Sequence, residues 1–253
     1  MKNLLLWSRI ANLYLKVRFM LFRKYVKKTD FSNRKLVFSD DFKTLDNFEI
    51  ENADFYNDNS VWFEKESIKL TNEGVSIVCY KDKKEHTSWR GTRVTDWTSG
   101  VMTTSKTFTL SKGVWVVEAK ICDSWPAIWL LKNGRPVVGY DREQITPEID
   151  VMEVMKHRWV RHTLHYGYSN TVYRKYGIGS NIFKCDNEFH EFAVELLDNG
   201  YKFYIDGVCT ARYKSNNPEF VTDSPNFILL NNAAHKYTTK DTDFVIKSVK
   251  AYE

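Results

Sequence analysis

From Leu36 to Glu253 the chain is a succession of short runs rich in β-branched and aromatic residues, separated by turn residues. This texture predicts strands, because no long helical periodicity interrupts it. Asp206-Gly207 between two runs predicts a tight hairpin, since a type I′ turn needs positive φ at both central residues. Many strands without crossover helices favour two antiparallel sheets packed face to face, an all-β sandwich. The predicted strands are 61–70, 75–80, 101–108, 114–121, 126–131, 149–155, 163–168, 190–197, 201–205, 208–213, 226–231 and 244–252.

Residues 1–28 differ from the rest of the chain in charge. They contain eight Lys or Arg and no acidic residue, so this segment carries +8 and the remainder −3, the difference from the net +5. Apolar residues interrupted by bases predict a basic amphipathic helix in an N-terminal segment of residues 1–30, not a membrane span or a cleavable signal peptide. It would contact an anionic membrane surface, a partner or its own domain. A net charge of +5 is too small for a dedicated nucleic-acid binder.

One strand-like run carries three acids, Glu148, Asp150 and Glu153. Side chains alternate across a sheet, so Glu148 and Asp150 share one face. Glu153 would fall on the opposite, core face, where an unpaired carboxylate is costly. One extra residue near Val151-Met152, a β-bulge, returns Glu153 to the face of the other two.

Two convergent carboxylates are what glycoside hydrolysis requires. A third acid between them raises the pKa of at least one group, so that one carboxyl stays protonated while another stays ionised. The alternatives for these three acids are a solvated acidic face and a metal site.

Trp125 and Trp129 lie upstream, and indole rings beside acids suit the apolar faces of sugars. The alternative for one of these two tryptophans is that it packs in the core instead of binding sugar.

Several segments, in order along the chain, resemble glycoside hydrolase family 16. They lie at 36–42, 98–104, 125–131, 148–153, 189–193, 201–208 and 249–253. The resemblance implies a concanavalin-like β-jelly-roll sandwich over 36–253 and a retaining endo-β-glycanase activity. The two residues between Asp150 and Glu153 resemble the bulged branch of the family, which contains laminarinases, agarases, porphyranases and carrageenases.

The resemblance implies that Glu148 is the nucleophile, Glu153 the acid/base and Asp150 the residue that tunes the nucleophile. The candidate substrate-binding residues are Trp125, Trp129, His165, Asn231 and Arg142. The alternative for His165 is a purely structural role. Several arginines near the matching segments could hold sulfate groups bidentately, with a structural role as the alternative: Arg90, Arg93, Arg142, Arg158 and Arg161.

Together these features favour a retaining endo-β-glycosidase on a β-linked polysaccharide, of β-1,3-glucan or galactan type. A transglycosylase using the same intermediate and a catalytically silent lectin-like module are the alternatives. No metal or organic cofactor is expected. The position resembling the family's calcium ligand is Lys247, and the cysteines lack metal-type spacing. The resemblance implies an extracellular or envelope location, although no cleavable signal is evident.

Overall fold

A computed structural model of the protein describes residues 2–50, 52–54, 61–88, 91–132, 147–155, 159–167, 173–179, 182–184, 186–215, 221 and 224–253. These residues contain helix α1 (Lys2–Phe22), a 3-10 helix (Lys65–Ser67) and eighteen strands. The strands are β1 (Leu36–Asp40), β2 (Glu49–Ile50), β3 (Ala53–Asp54), β4 (Val61–Phe63), β5 (Ile68–Thr71), β6 (Gly74–Ser88), β7 (Gly91–Ser99), β8 (Val101–Thr103), β9 (Gly113–Lys120), β10 (Ala127–Lys132), β11 (Glu148–Met155), β12 (Trp159–Gly167), β13 (Tyr173–Gly179), β14 (Phe189–Leu197), β15 (Gly200–Ile205), β16 (Val208–Lys214), β17 (Asn226–Asn231) and β18 (Thr242–Tyr252).

The strands form two sheets. The first has the order β16-β15-β14-β9-β18-β6-β7-β4-β3, with β1 beside β18 and β5 beside β6. The second has the order β13-β12-β11-β10-β17-β8-β2. Every described strand pair is antiparallel except β4 with β7. The predicted sandwich of two sheets, preceded by a helix, is confirmed.

The two sheets bury a shared apolar core. Val117 and Phe192 of the first sheet belong to the same buried cluster as Ile128 and Ile149 of the second. Trp115 is 1% exposed and packs against Phe38 and Phe108. Close aromatic and aliphatic packing of this kind supplies the main favourable free energy of folding. Ile149 reaches the core because its neighbours along β11 point to the opposite face.

The predicted hairpin forms between β15 and β16. Asp206 has φ of 51° and Gly207 has φ of 74°, the positive values that the turn requires. The Gly207 carbonyl accepts a hydrogen bond from the Thr29 amide at 2.7 Å. A Cβ at Gly207 would come within 2.8 Å of the Thr29 carbonyl oxygen, so this turn also fits closely against the segment that follows α1.

Some strand boundaries differ from the prediction. The run 61–70 is broken by the 3-10 helix at Lys65–Ser67, and the run 101–108 ends at Thr103, where the chain turns. In that turn the amides of Thr107 and Phe108 both bond the Thr104 carbonyl. Strands β7 and β13 were not predicted, because charged and glycine residues mask their alternation.

Helix α1 packs along the side of the sandwich, against β16 and β13. Among the described residues, no helix combines the length and the hydropathy needed to cross a membrane.

Candidate active site

The acid-bearing strand β11 contains the predicted bulge. Against β12, Asp150 pairs with Thr163 and Glu153 pairs with Arg161, so two residues of β11 oppose the single residue His162. The ladder to β10 shifts at the same place. The extra residue returns the Glu153 side chain to the face that carries the other acids.

Glu148 and Asp150 meet His165 on the neighbouring strand. His165 lies opposite Glu148 in the β11–β12 ladder. Its Nε2 is 2.9 Å from Asp150 Oδ2 and 3.7 Å from Glu148 Oε1. Asp150 is 3% exposed, whereas the Glu148 side chain is 14% exposed. The sequence therefore placed His165 correctly beside the acids, and of these two acids Glu148 is the one more open to solvent.

Glu153 accepts hydrogen bonds from three side chains. Trp125 Nε1 donates to Oε1 at 3.2 Å, while Arg161 Nε at 3.0 Å and Thr163 Oγ1 at 3.2 Å donate to Oε2. Such charge-assisted bonds fix the position of a carboxylate that is only 6% exposed. The arrangement also joins Trp125 directly to the candidate acid/base.

Two of these contacts were not anticipated. Thr163 was not singled out, and Arg161 was considered only as a possible sulfate contact, whereas the structure pairs it with Glu153. Side chains alternate along a strand, so Thr163 and Arg161 lie on the same face of β12 as His165. This alternation could have identified them as candidates.

The remaining candidates lie on the same sheet. Trp129, in β10, is 8% exposed, and its Nε1 donates to Asn231 Oδ1 at 2.8 Å. The Trp129 ring packs with Leu131 and with Phe227 and Leu229 of β17 in a separate buried cluster. Arg142 lies outside the described residues, as do Arg90 and Arg158. Roles of Trp129, Asn231 and Arg142 in binding sugar remain predictions.

A buried histidine supports the bulge from behind. The Nδ1 of His162 donates a hydrogen bond to the Val151 carbonyl, and its Nε2 lies 2.9 Å from Thr210 Oγ1. The ring stacks on Phe203 at 4.8 Å. Burial lowers the pKa of His162 from 6.5 to about 4, although the bond to Val151 acts in the opposite direction. The imidazole is therefore neutral near pH 7.

One group of side chains has the donor types of a cation site. Glu148, Asp150 and His165 each present a ligand atom, and these atoms lie within 4.8 Å of one another. Two carboxylates and one imidazole suit zinc or a similar divalent ion. His165 Nε2 already contacts Asp150 Oδ2 directly, at 2.9 Å. At the position resembling the calcium ligand, Lys247 Nζ pairs with Glu118 at 2.7 Å.

The chain resembles several solved structures. These include the laminarinase catalytic domain of Thermotoga maritima MSB8, at 23% identity and a TM-score of 0.68, with 87% of this chain and 98% of that chain covered. They also include laminarinase from Flavobacterium sp. UMI-01, at 21% identity, a TM-score of 0.67 and coverage of 87% and 100%.

A third similar structure is SCLam, a non-specific endo-β-1,3(4)-glucanase from family GH16, at 19% identity and a TM-score of 0.73, with 90% and 94% covered. No protein-family model and no curated protein sequence matches the chain. The fold is thus the one found in laminarinase and family 16 glucanase catalytic domains, in agreement with the resemblance drawn from the sequence.

Proposed function

We propose that the protein is a retaining endo-β-glycosidase that hydrolyses a β-linked polysaccharide by double displacement. The observation that carries the proposal is the bulge in β11, which brings Glu148, Asp150 and Glu153 to one face of the sheet. Their separate surroundings support different roles, because Glu148 is the more solvent-accessible and Glu153 is held by neighbouring donors.

In the first step, the Glu148 carboxylate attacks the anomeric carbon while the glycosidic C–O bond breaks. Glu153 donates its proton to the departing oxygen. Asp150, paired with His165, stabilises the position of the nucleophile from the same strand. A water then attacks the glycosyl ester, Glu153 accepts the water's proton, and the product leaves with its β configuration retained.

The proton on Glu153 must be acquired before this first step. Arg161 and two further donors hold the Glu153 carboxyl group in place, and substrate binding would change this environment. A sugar ring stacked near Trp125 would displace water and bring the leaving oxygen next to Glu153. Trp125 is the residue best suited to couple binding to protonation, because its Nε1 already contacts Glu153 Oε1.

We favour a neutral β-1,3-glucan over a sulfated galactan. Arg161, one of the arginines considered for sulfate binding, is engaged by Glu153. The solved structures with this fold include proteins named as laminarinases. Both observations support the glucan, and the following comparison distinguishes the two substrate classes.

The test is release of reducing ends from laminarin, mixed-linkage glucan, agarose, porphyran and carrageenan. We expect release from laminarin, and we expect Glu148→Gln to reduce it to background. Glu188→Gln is the matched control, since Glu188 is exposed next to β14 in the other sheet. NMR of the first product should show the β anomer, because two inversions retain configuration.

Each contrary result has a specific meaning. The α anomer as first product would refute the retaining mechanism. Products longer than the starting oligosaccharide would identify a transglycosylase. Binding of a glucan without product release, equal in the intact protein and in Glu148→Gln, would identify a lectin-like module. Release from a sulfated galactan alone would overturn the substrate assignment.

A further inference from the structure

Helix α1 is held firmly on the sandwich by one face. Phe19 is completely buried, and Leu15 and Asn12 are buried beside it. The Asn12 side chain bonds the backbone of Arg212 in β16 twice, as donor to its carbonyl and as acceptor from its amide, both at 3.0 Å. An amide pairing with strand backbone in this way satisfies β16 at the sheet edge. The rotation of the helix about its axis is therefore fixed.

The opposite face of α1 is an exposed apolar stripe. Its members recur at helical spacing and are each between 41% and 66% exposed: Ile10, Leu13, Tyr14, Val17, Met20 and Leu21. Successive residues of a helix are about 100° apart, so these six side chains share one face. An apolar surface of this extent, fixed outward by the buried face, indicates an interaction site.

Basic residues flank the stripe. Arg9 and Lys16 follow one edge at a spacing of seven residues, and Arg18 lies at the other edge. The first acid in the chain is Asp30. Within the described part of the chain, none of Arg9, Lys16 or Arg18 forms an ion pair with a carboxylate. Arg9 is exposed, and Lys16 and Arg18 are half-buried along the two sides of the apolar stripe.

We propose that α1 binds in the plane of a membrane that contains anionic phospholipid. The apolar stripe would enter the boundary between headgroups and acyl chains, and the flanking bases would contact the phosphates. A second copy of the chain fits this surface poorly, since it would place a second segment of +8 against the first. The proposal is independent of the catalytic function.

Membrane binding would also fix the place of the acid cluster. Helix α1 contacts β13, and β11 is two strands further into the same sheet. Adjacent strands are about 4.8 Å apart, so the catalytic strand lies on the order of 10 Å from the helix-bearing edge. The acid cluster would thereby lie near the lipid surface.

The test is co-sedimentation of the full chain with vesicles of phosphatidylcholine, alone or mixed with phosphatidylglycerol. We expect binding to the mixed vesicles to be about tenfold or more tighter than to the neutral ones, and to weaken when NaCl is raised. Leu13→Gln with Leu21→Gln should weaken binding to mixed vesicles about tenfold or more, since two apolar side chains are lost from the stripe. Leu70→Gln, at an exposed leucine of β5, is the control and should bind as the intact chain does.

The double variant changes exposed positions only, and unchanged thermal unfolding will show that α1 remains docked. Equal binding to both vesicle types, no binding at all, or binding unaffected by the double variant would each overturn the proposal. So would a dimer in sedimentation velocity without lipid that the double variant converts to a monomer, because the stripe would then belong to a second copy.

Discussion

Protonation of His162 is expected to destabilise the protein as pH falls. The side chain is fully buried between the sheets, with Nδ1 on the Val151 carbonyl and Nε2 near Thr210. Burial lowers the pKa of His162 to about 4, whereas an unfolded histidine titrates near 6.5. Between these two values the unfolded state binds the proton and the folded state does not. Stability is therefore complete above the unfolded pKa and is lost as pH falls toward the folded one.

The magnitude follows from the two pKa values. Each tenfold ratio of proton affinity corresponds to about 1.4 kcal/mol, so a difference of about 2.5 in pKa gives about 3 kcal/mol well below pH 4. At pH 5 the same linkage removes about 2 kcal/mol relative to pH 7. For a domain with a typical stability of about 5–15 kcal/mol, this loss is readily measured.

The assay is urea unfolding of the intact protein and of His162→Gln at pH 7 and pH 5. Other groups titrate in both proteins, so the difference between their unfolding free energies isolates His162. We expect the intact protein to be more stable at pH 7 and to lose about 2 kcal/mol of that advantage at pH 5. An advantage that is the same at both pH values would refute the argument.

His190 supplies a control of opposite sign. Burial alone would lower its pKa, but ion pairs with Asp206 at 2.8 Å and Asp186 at 3.0 Å raise it above 6.5. Its contribution is fully present below pH 6.5 and is lost as pH rises through the folded pKa. His190→Gln should therefore cost more stability at pH 5 than at pH 8, whereas His162→Gln should cost less at the lower pH.

Three further outcomes are expected at the acid cluster. The substrate is an aryl β-glycoside whose leaving group needs no protonation, and azide is added as an external nucleophile. Azide should restore turnover of Glu148→Ala with the α-glycosyl azide as product, and turnover of Glu153→Ala with the β-glycosyl azide as product. The reverse pattern in product NMR would exchange the two roles. Arg161→Met should lower kcat about tenfold or more with little change in KM, because a bond of about 1.5–3 kcal/mol positions Glu153. Equal kcat values for Arg161→Met and the surface control Arg212→Met would contradict this. Dialysis against EDTA should leave activity unchanged, and a loss restored by a divalent cation would make Glu148, Asp150 and His165 a metal site.

Much of the fold was predictable where alternation is strong and charges are few. The runs that became β9, β10 and β17 lie within one residue of their predicted bounds. The prediction failed where tertiary pairing overrides local preference, as in β7, whose exposed half carries Arg93 and polar residues. It also failed at Thr104, where a buried hydroxyl and carbonyl hold a turn instead of a longer strand.

The bulge could be predicted because burying an unpaired Glu153 would be too costly for any regular strand. Its partners could not be predicted, because they depend on the register of β11 against β12 and on the position of Trp125 before β10. Register depends on how two strands pair, and a slip of one residue would turn every side chain to the other face.

The sequence by itself therefore determined the layered β architecture, the three acids on one face and the charge of the N-terminal segment, since each follows from local periodicity or composition. Only the tertiary structure decided which groups each acid contacts, and which face of α1 is buried. Those outcomes depend on contacts between separate elements: Arg161 of β12 pairs with Glu153 of β11, and Asn12 of α1 pairs with Arg212 of β16. Alternation along β12 places Arg161 on the same face as His165, but neither contact can be predicted from one segment alone.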